Sequence, residues 1–436
     1  MANIIPFRGI WYSFSKTSEL SKVLAPPYDV ISIEQKKQLK AASPLNSIRL
    51  ILGNPSHEIH RKSDYQGARK TFEEWRNKNR LKKDGTASLY VYQQTFKVNG
   101  ESYRRTGFIG LSQLTPFGKK KGGILAHEHT LSGPKADRLK LMKACHTNFS
   151  SIFSLYPDKG GVGQLLKKAI GRKADVSVDF PTGVQNRLWR VTDPKWIKEL
   201  QKKIKPATLF IADGHHRYET ALAYQAFRSK NAKGKFGSRP FDYVMMMFVA
   251  MEDPGLVILP THRMLSKRQI SSPSLLLSRL SSLGEIHEYK GALTGLPPWQ
   301  WMARLGKKQP TIGLSFDGKK LYGLQFSKAV SKSPLLKGLS DAQKKLDVTL
   351  LHRLILEPYF GITKEKVERE ISFISRAEEA VRHLRKKEFA GVFFLNPTRI
   401  EQLREVALKQ ERMPQKSTYF YPKLVTGLIF NGLDSF

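Results

Sequence analysis

The chain has 436 residues, 40% hydrophobic and 10% aromatic, apolar material enough for packed cores, which excludes a disordered chain and a small disulfide-stapled scaffold. Its 74 lysines and arginines against 37 acidic residues give a formal net charge of +37; such a surface attracts polyanions, so a nucleic-acid partner stays open on charge. The single cysteine, Cys145, cannot close an intrachain disulfide, Met1 to Phe14 lacks a signal-peptide pattern, and the apolar run Val244 to Met251 is well short of a membrane span; a cytoplasmic protein with no membrane partner is expected.

In chain order, Ala25-Pro26-Pro27-Tyr28-Asp29-Val30 reads as a stiff corner, because adjacent prolines fix their own φ and restrict the residues before them. Helical patterns run over Ser32 to Leu39 and Tyr65 to Asn79. Ser88 to Lys97 alternates as a strand and turns at Asn99-Gly100 into Tyr103 to Leu111, a strong hairpin signal. Strands are expected at Ser151 to Tyr156, Arg187 to Val191 and Thr208 to Ala212, with helices at Gly163 to Ile170 and Pro194 to Lys203 between them.

The loop Ser229 to Arg239 suggests a boundary, giving halves 1–235 and 236–436. The second half opens on an apolar strand, Tyr243 to Met251. It continues through a helix at Ser274 to Leu283, strands near Thr311 to Ser315 and Lys320 to Gln325, and helices at Asp347 to Glu357 and Ala377 to Lys387. Strand Ala390 to Leu395 and helix Ile400 to Lys409 follow. This order predicts a mixed α/β (α+β) fold rather than a bundle or a sandwich.

Thr208 to Leu222 carries the strongest chemical signal. An apolar strand runs into Asp213-Gly214, and a helix follows, opening on His215-His216-Arg217. A strand, a glycine turn and a helix start place backbone N–H groups and the positive end of a helix dipole at one corner, which favours an anion. Arg217 can grip a phosphate with two prongs, His215 or His216 can move a proton, and Asp213 can orient a histidine or hold magnesium.

Three further segments are polar and basic. In His127-Glu128-His129-Thr130 the spacing does not match a zincin motif, and Glu128 or His127 suits acid–base work. Lys135 and Arg138, three apart at a helix start, can reach the same anionic group. His262-Arg263 and Lys416-Ser417-Thr418 suit the lining of a cleft or a surface loop. Walker A, Gly-x-Gly-x-x-Gly and Gly-x-Ser-x-Gly patterns are absent from the sequence.

Taken in order, these segments resemble the bacterial and archaeal family known as domain of unknown function 1015. The match runs from Pro6-Phe7-Arg8 and the Pro26-Pro27-Tyr28-Asp29 corner through His127-Glu128-His129-Thr130, Gly133-Pro134-Lys135 and Asp213-Gly214-His215-His216-Arg217-Tyr218. It continues with Leu259-Pro260-Thr261-His262-Arg263, Asp347-Val348, Met413-Pro414 and Lys416 to Lys423. One departure is His129, where the family usually carries arginine.

The Asp-Gly-His-His-Arg stretch also resembles the phosphate-binding motif of ParB-like and sulfiredoxin-like proteins, free-serine kinases among them. That resemblance implies a phosphate-binding half at 1–235, with 236–436 completing a cleft. It implies a nucleotide-dependent phosphotransferase of the serine and phosphoserine kind, using ATP or ADP with Mg2+. Asp213, Gly214, His215, His216 and Arg217 would hold phosphates. Glu128, His127 and His216 would be catalytic; Lys135, Arg138, His262, Arg263, Lys416, Ser417 and Thr418 would hold substrate; Asp213 and Asp29 are the metal candidates. The alternatives are a ParB-like nucleic-acid-binding protein and a metabolite sensor without turnover.

Overall fold

The computed structural model describes residues 2–13, 17–52, 65–118, 123–130, 132–266 and 272–435. The lysine cluster at 119–121 lies outside the described residues. The chain forms two compact units. The first comprises residues 1–126, 130–257 and 422–436, and the second residues 127–129 and 258–421.

A nine-stranded mixed sheet builds the first unit. Its strands are β1 (Ile4–Ile5), β2 (Leu89–Val98), β3 (Glu101–Gln113), β4 (Ile124–Leu125), β5 (Ile152–Tyr156), β6 (Val176–Asp179), β7 (Gln185–Val191), β8 (Leu209–Asp213) and β9 (Tyr243–Ala250). They lie in the order β4-β8-β5-β9-β3-β2-β7-β6, with β1 on β3. The pairs β8–β4 and β9–β5 are parallel and the rest antiparallel.

The hairpin β2–β3 turns at Asn99 and Gly100, with φ of 52° and 86°. Both central residues of a type I′ turn need positive φ, and Asn-Gly tolerates it best. Strand β9 is buried along nearly its whole length and sits between β5 and β3. Residues 236–257 therefore belong to the first unit, and the expected boundary at 235/236 falls inside it.

Helices cover the sheet by their apolar stripes. Pro194–Ile204 starts on Asp193, whose carboxylate accepts from Lys195 N at 2.9 Å, and buries Ile197, Leu200 and Ile204. With Leu165 and Leu166 of Val162–Ala169 these residues join a core that includes Phe108, Ile152, Tyr218 and Phe248. A second cluster gathers Phe72, Trp75, Phe149 and Phe430, so the C-terminal segment returns to the first unit.

The second unit has a six-stranded antiparallel sheet made of β10 (His262–Leu265), β11 (Gly284–Glu288), β12 (Thr311–Ser315), β13 (Tyr322–Phe326), β14 (Ile371–Ile374) and β15 (Gly391–Leu395), in the order β11-β13-β12-β15-β10-β14. The helix expected over Asp347 to Glu357 is α-helical at Asp347–Leu350, a π-helix over Leu351–Leu356, and α-helical again at Glu357–Phe360. The fold is mixed α/β, as its element order predicts. Among the described residues, no helix is long and apolar enough to cross a membrane.

Candidate functional site

In the first unit, β8 ends at Asp213, Gly214 adopts φ 95°, and the helix His215–Ser229 begins. A register shift between Ile211 and Asp213 on β5 marks an irregularity at the strand end, a feature that re-aims side chains. The helix is anchored by buried Tyr218, whose hydroxyl donates to Thr115 O at 2.6 Å. Its first ladder bond runs from Tyr218 N to Gly214 O, so the N–H groups of 215–217 precede the ladder and form the positive end of the dipole.

Three charged side chains meet at this corner. Asp213 accepts from Arg217 Nη2 at 2.7 Å and from Lys423 Nζ at 2.5 Å, and all three side chains are mostly buried. Arg217 Nη1 donates to Ser151 O at 2.5 Å and to Ser150 Oγ at 3.2 Å, tying the corner to the start of β5. Arg105 lies behind, fully buried, donating to Gln94 Oε1 and to Pro422 O and stacked 4.7 Å above Phe153. Burial pulls the Arg105 pKa down to about 10, a fall that Tyr92, Asp253 and Asp213 partly offset. Asp213 and Asp253 thus face three cations, Arg105, Arg217 and Lys423.

Lys135 and Arg138, expected to grip one ligand, have separate partners. The helix Ser132–Cys145 packs on His215–Ser229, and Lys135 Nζ pairs with Glu219 at 2.7 Å. Glu219 also accepts from Thr130 Oγ1 at 2.7 Å. Burial raises its pKa, but the donors Lys135 and Thr130 outweigh that and hold it below the usual carboxylate value. Arg138 is buried: it donates to Asp137, to Ile51 O at 2.7 Å and to Tyr65 Oη at 2.7 Å, and lies over the Tyr28 ring at 4.3 Å. Burial disfavours its charge, yet Tyr65, Asp137 and Tyr28 carry its pKa above the ordinary value.

The remaining candidates belong to the second unit. Glu128 accepts from Lys416 N, and His127 Nε2 sits 3.1 Å from Thr418 Oγ1, while Met413 N donates to His127 O at 2.7 Å. Ser417 Oγ donates to Pro414 O. Arg263 is fully buried and donates to Thr261 O, Gln415 O and Lys416 O, so it pins the 415–416 backbone. His262 is also buried; its Nδ1 accepts from Leu395 N at 3.2 Å and its ring packs on Phe394. Both side chains sit in the interior of this unit, not on a surface loop. His127 and Glu128 therefore belong to the second unit, and His215, His216 and Arg217 to the first.

Metal candidates fare as follows. Both Asp213 oxygens are taken by cations, Asp29 lies exposed in the turn Tyr28–Val30, and no group of three His, Cys, Asp or Glu side chains among the described residues could hold a metal ion. These residues do not build a protein-held metal site.

Lys423 and Glu219 have no assigned role in the sequence reading. Lys423 closes the Lys416 to Lys423 stretch, but nothing local to it indicates a partner 210 positions away. Glu219 follows His216 by three, a spacing that places both on one helix face.

Buried titratable groups of the second unit predict its pH response. Burial, with Arg263 nearby, lowers the His262 and His352 pKa values to about 3, whereas burial raises Asp347 to about 7. The unfolded chain protonates both imidazoles near pH 6.5, so their stability is complete above that pH and lost as pH falls. Asp347 acts oppositely: its cost is absent below about pH 3.9 and grows as pH rises to 7. Between pH 4 and 6.5 two protons oppose one, so stability falls by about 1.4 kcal/mol per unit of acidification. Urea unfolding at pH 4.5, 5.5 and 6.5 measures this; His352→Gln should flatten the slope, and an unchanged slope would contradict the assignment.

The fold and the corner define a mixed α/β protein with a strand–glycine–helix corner that carries buried cations. The chain belongs to the family described as "Protein of unknown function (DUF1015)", whose model matches residues 4–349. Among curated proteins there is no significant match. Solved structures similar to it include a conserved hypothetical protein from Pyrococcus furiosus, 13% identical, with a TM-score of 0.36 over 72% of this chain and 94% of that one. A free serine kinase in complex with AMP is 13% identical, with a TM-score of 0.34 over 70% and 88%. SbnI with C-terminal truncation from Staphylococcus aureus is 10% identical, with a TM-score of 0.36 over 73% and 85%.

Proposed function

We propose that this protein is a nucleotide-dependent phosphotransferase acting on a small hydroxyl-bearing metabolite of the serine and phosphoserine kind. The observation that carries the reading is the corner at Gly214, where Arg217 and Lys423 flank the first turn of a 15-residue helix. Helix N-terminal N–H groups and a guanidinium are the donors that a transferring phosphate needs, and they gain strength where water is partly excluded. ATP or ADP would place its phosphates here.

In this reading Asp213 orients the two cations, Arg217 and Lys423 offset the charge that develops on the phosphoryl oxygens, and His216 takes the proton of the attacking hydroxyl. Phosphoryl transfer depends chiefly on positioning and charge. His216→Gln is expected to lower turnover roughly 100-fold or more while leaving ADP affinity nearly unchanged, since general-base catalysis is worth about 10² to 10⁴. Turnover unaffected in His216→Gln would remove the residue from that role. Glu128→Gln, assayed in parallel, tests the base assignment made from the sequence.

A further inference from the structure

The helices Val162–Ala169 and Pro194–Ile204 pack together on one face of the nine-stranded sheet, where their apolar stripes join Val91, Phe108 and Trp189 in one core. On the outer side of the second helix Lys195, Lys198 and Lys202, all exposed, recur at spacings of three and four, which sets them in one row about 10 Å long. Lys167 and Lys168 stand exposed at the end of the first. Side chains alternate along a strand, and the pairings Val91–Phe108 and Thr95–Arg104 between β2 and β3, with Trp189–Val91 and Arg187–Gln93 between β7 and β2, carry the same sheet face on to Arg104 and Arg187. Arg104 is exposed and Arg187 half-buried. Arg105, one residue on, faces the other side, toward the phosphate corner.

The acids near this face are engaged elsewhere. Asp175 pairs with Arg172 at 2.7 Å, Asp179 accepts from Gly183 N at 3.0 Å, Asp193 caps its helix, and Glu199 lies 3.9 Å from Lys203. Among the described residues none of them pairs with the five helix lysines. Other exposed helices interleave signs, as in Arg69–Glu73, Lys78–Glu74, Arg382–Glu379 and Lys409–Glu405. Like charges three and four apart disfavour a helix, so this row costs stability that an anionic partner restores.

We infer that this face binds the phosphate backbone of double-stranded nucleic acid without reading its sequence. A duplex presents one charge per about 1.7 Å of its axis, so every ammonium of a row fixed on a folded helix meets a phosphate of a stiff rod. The exposed large apolar side chains, Phe227 and Phe236 among them, lie outside these elements. The face therefore has neither the aromatic platform on which single-stranded bases stack nor the apolar anchor that holds an amphipathic surface in a bilayer.

The test titrates labelled DNA and RNA duplexes of one sequence with the full chain, without nucleotide, at 50 to 200 mM salt, and follows fluorescence anisotropy. Binding is expected near the micromolar range at 100 mM salt, with a slope of log K on log salt of about −4 or steeper. Replacing Lys195, Lys198 and Lys202 together by glutamine should make the slope shallower by about two to three and weaken binding at least about tenfold, at an unchanged melting temperature and ADP affinity. The control replaces Arg304, Lys307 and Lys308, exposed on a helix of the second unit, by glutamine; it removes the same charge and should change affinity less than about threefold. Binding of either duplex in this pattern upholds the face, and the tighter one names the partner as DNA or RNA. No binding, equal losses in the two triple variants, or capture by phosphatidylserine vesicles at a salt concentration that releases both duplexes would overturn it.

Discussion

Replacing Arg217 by alanine is expected to weaken ADP binding by roughly 10- to 100-fold, the loss of one hydrogen bond to a charged group at about 1.5–3 kcal/mol. The side chain already bridges Asp213 and the start of β5, with 13% of its surface exposed, so little ordering remains for it to undergo when phosphate arrives. Asp213 keeps Lys423 in the variant, which limits structural collapse at the corner. Arg217→Lys should recover only part of the affinity, because an ammonium lacks the two-pronged geometry. Calorimetric titration with ADP measures both variants, and unchanged affinity in Arg217→Ala would place the phosphates elsewhere.

Gly214→Ala should act on the same site through the backbone. At φ 95° an L residue is strained, by about 1–2 kcal/mol, and a Cβ there would lie 2.9 Å from Arg217 Nε and Nη2. The guanidinium must shift to admit it, so ADP affinity is expected to fall about tenfold or more alongside the lowered stability. Thermal unfolding and ADP titration of one preparation separate the two effects. A variant as stable as wild type, with full affinity, would show that the corner does not need this conformation.

What could be read from the sequence was local. The Asn99-Gly100 turn, the strand into Gly214 and the apolar β9 each carry their signal within a few residues, and each forms as expected. Lys423 beside Asp213 and Glu219 beneath Lys135 could not be read, because each pairing is made by the fold across 210 and 84 positions. Arg138 and Arg263 were misleading for another reason: basic residues usually lie at the surface, whereas both are buried here on carbonyl oxygens, with Asp137 and Tyr65 joining at Arg138. The boundary at 235/236 followed a loop of glycine, lysine and serine, but strand pairing overrides loop composition when β9 occupies the middle of the sheet.

The second unit has its own internal logic. Glu128 and His127 are held by the backbone and side chains of 413–418, and Arg263 holds that segment from beneath. Four stretches that looked like separate polar motifs in the sequence therefore resolve into two groups, one in each unit.

Phosphotransfer by this protein is tested most directly by phosphorus NMR of the full chain with magnesium, ATP or ADP, and L-serine or D-glycerate, with phosphoserine in a parallel tube. A new phosphomonoester resonance, or loss of phosphoserine, is expected with a matching change in the nucleotide signals, abolished in Arg217→Ala. Spectra that stay unchanged in every tube, from protein that is folded and binds ADP, would contradict it.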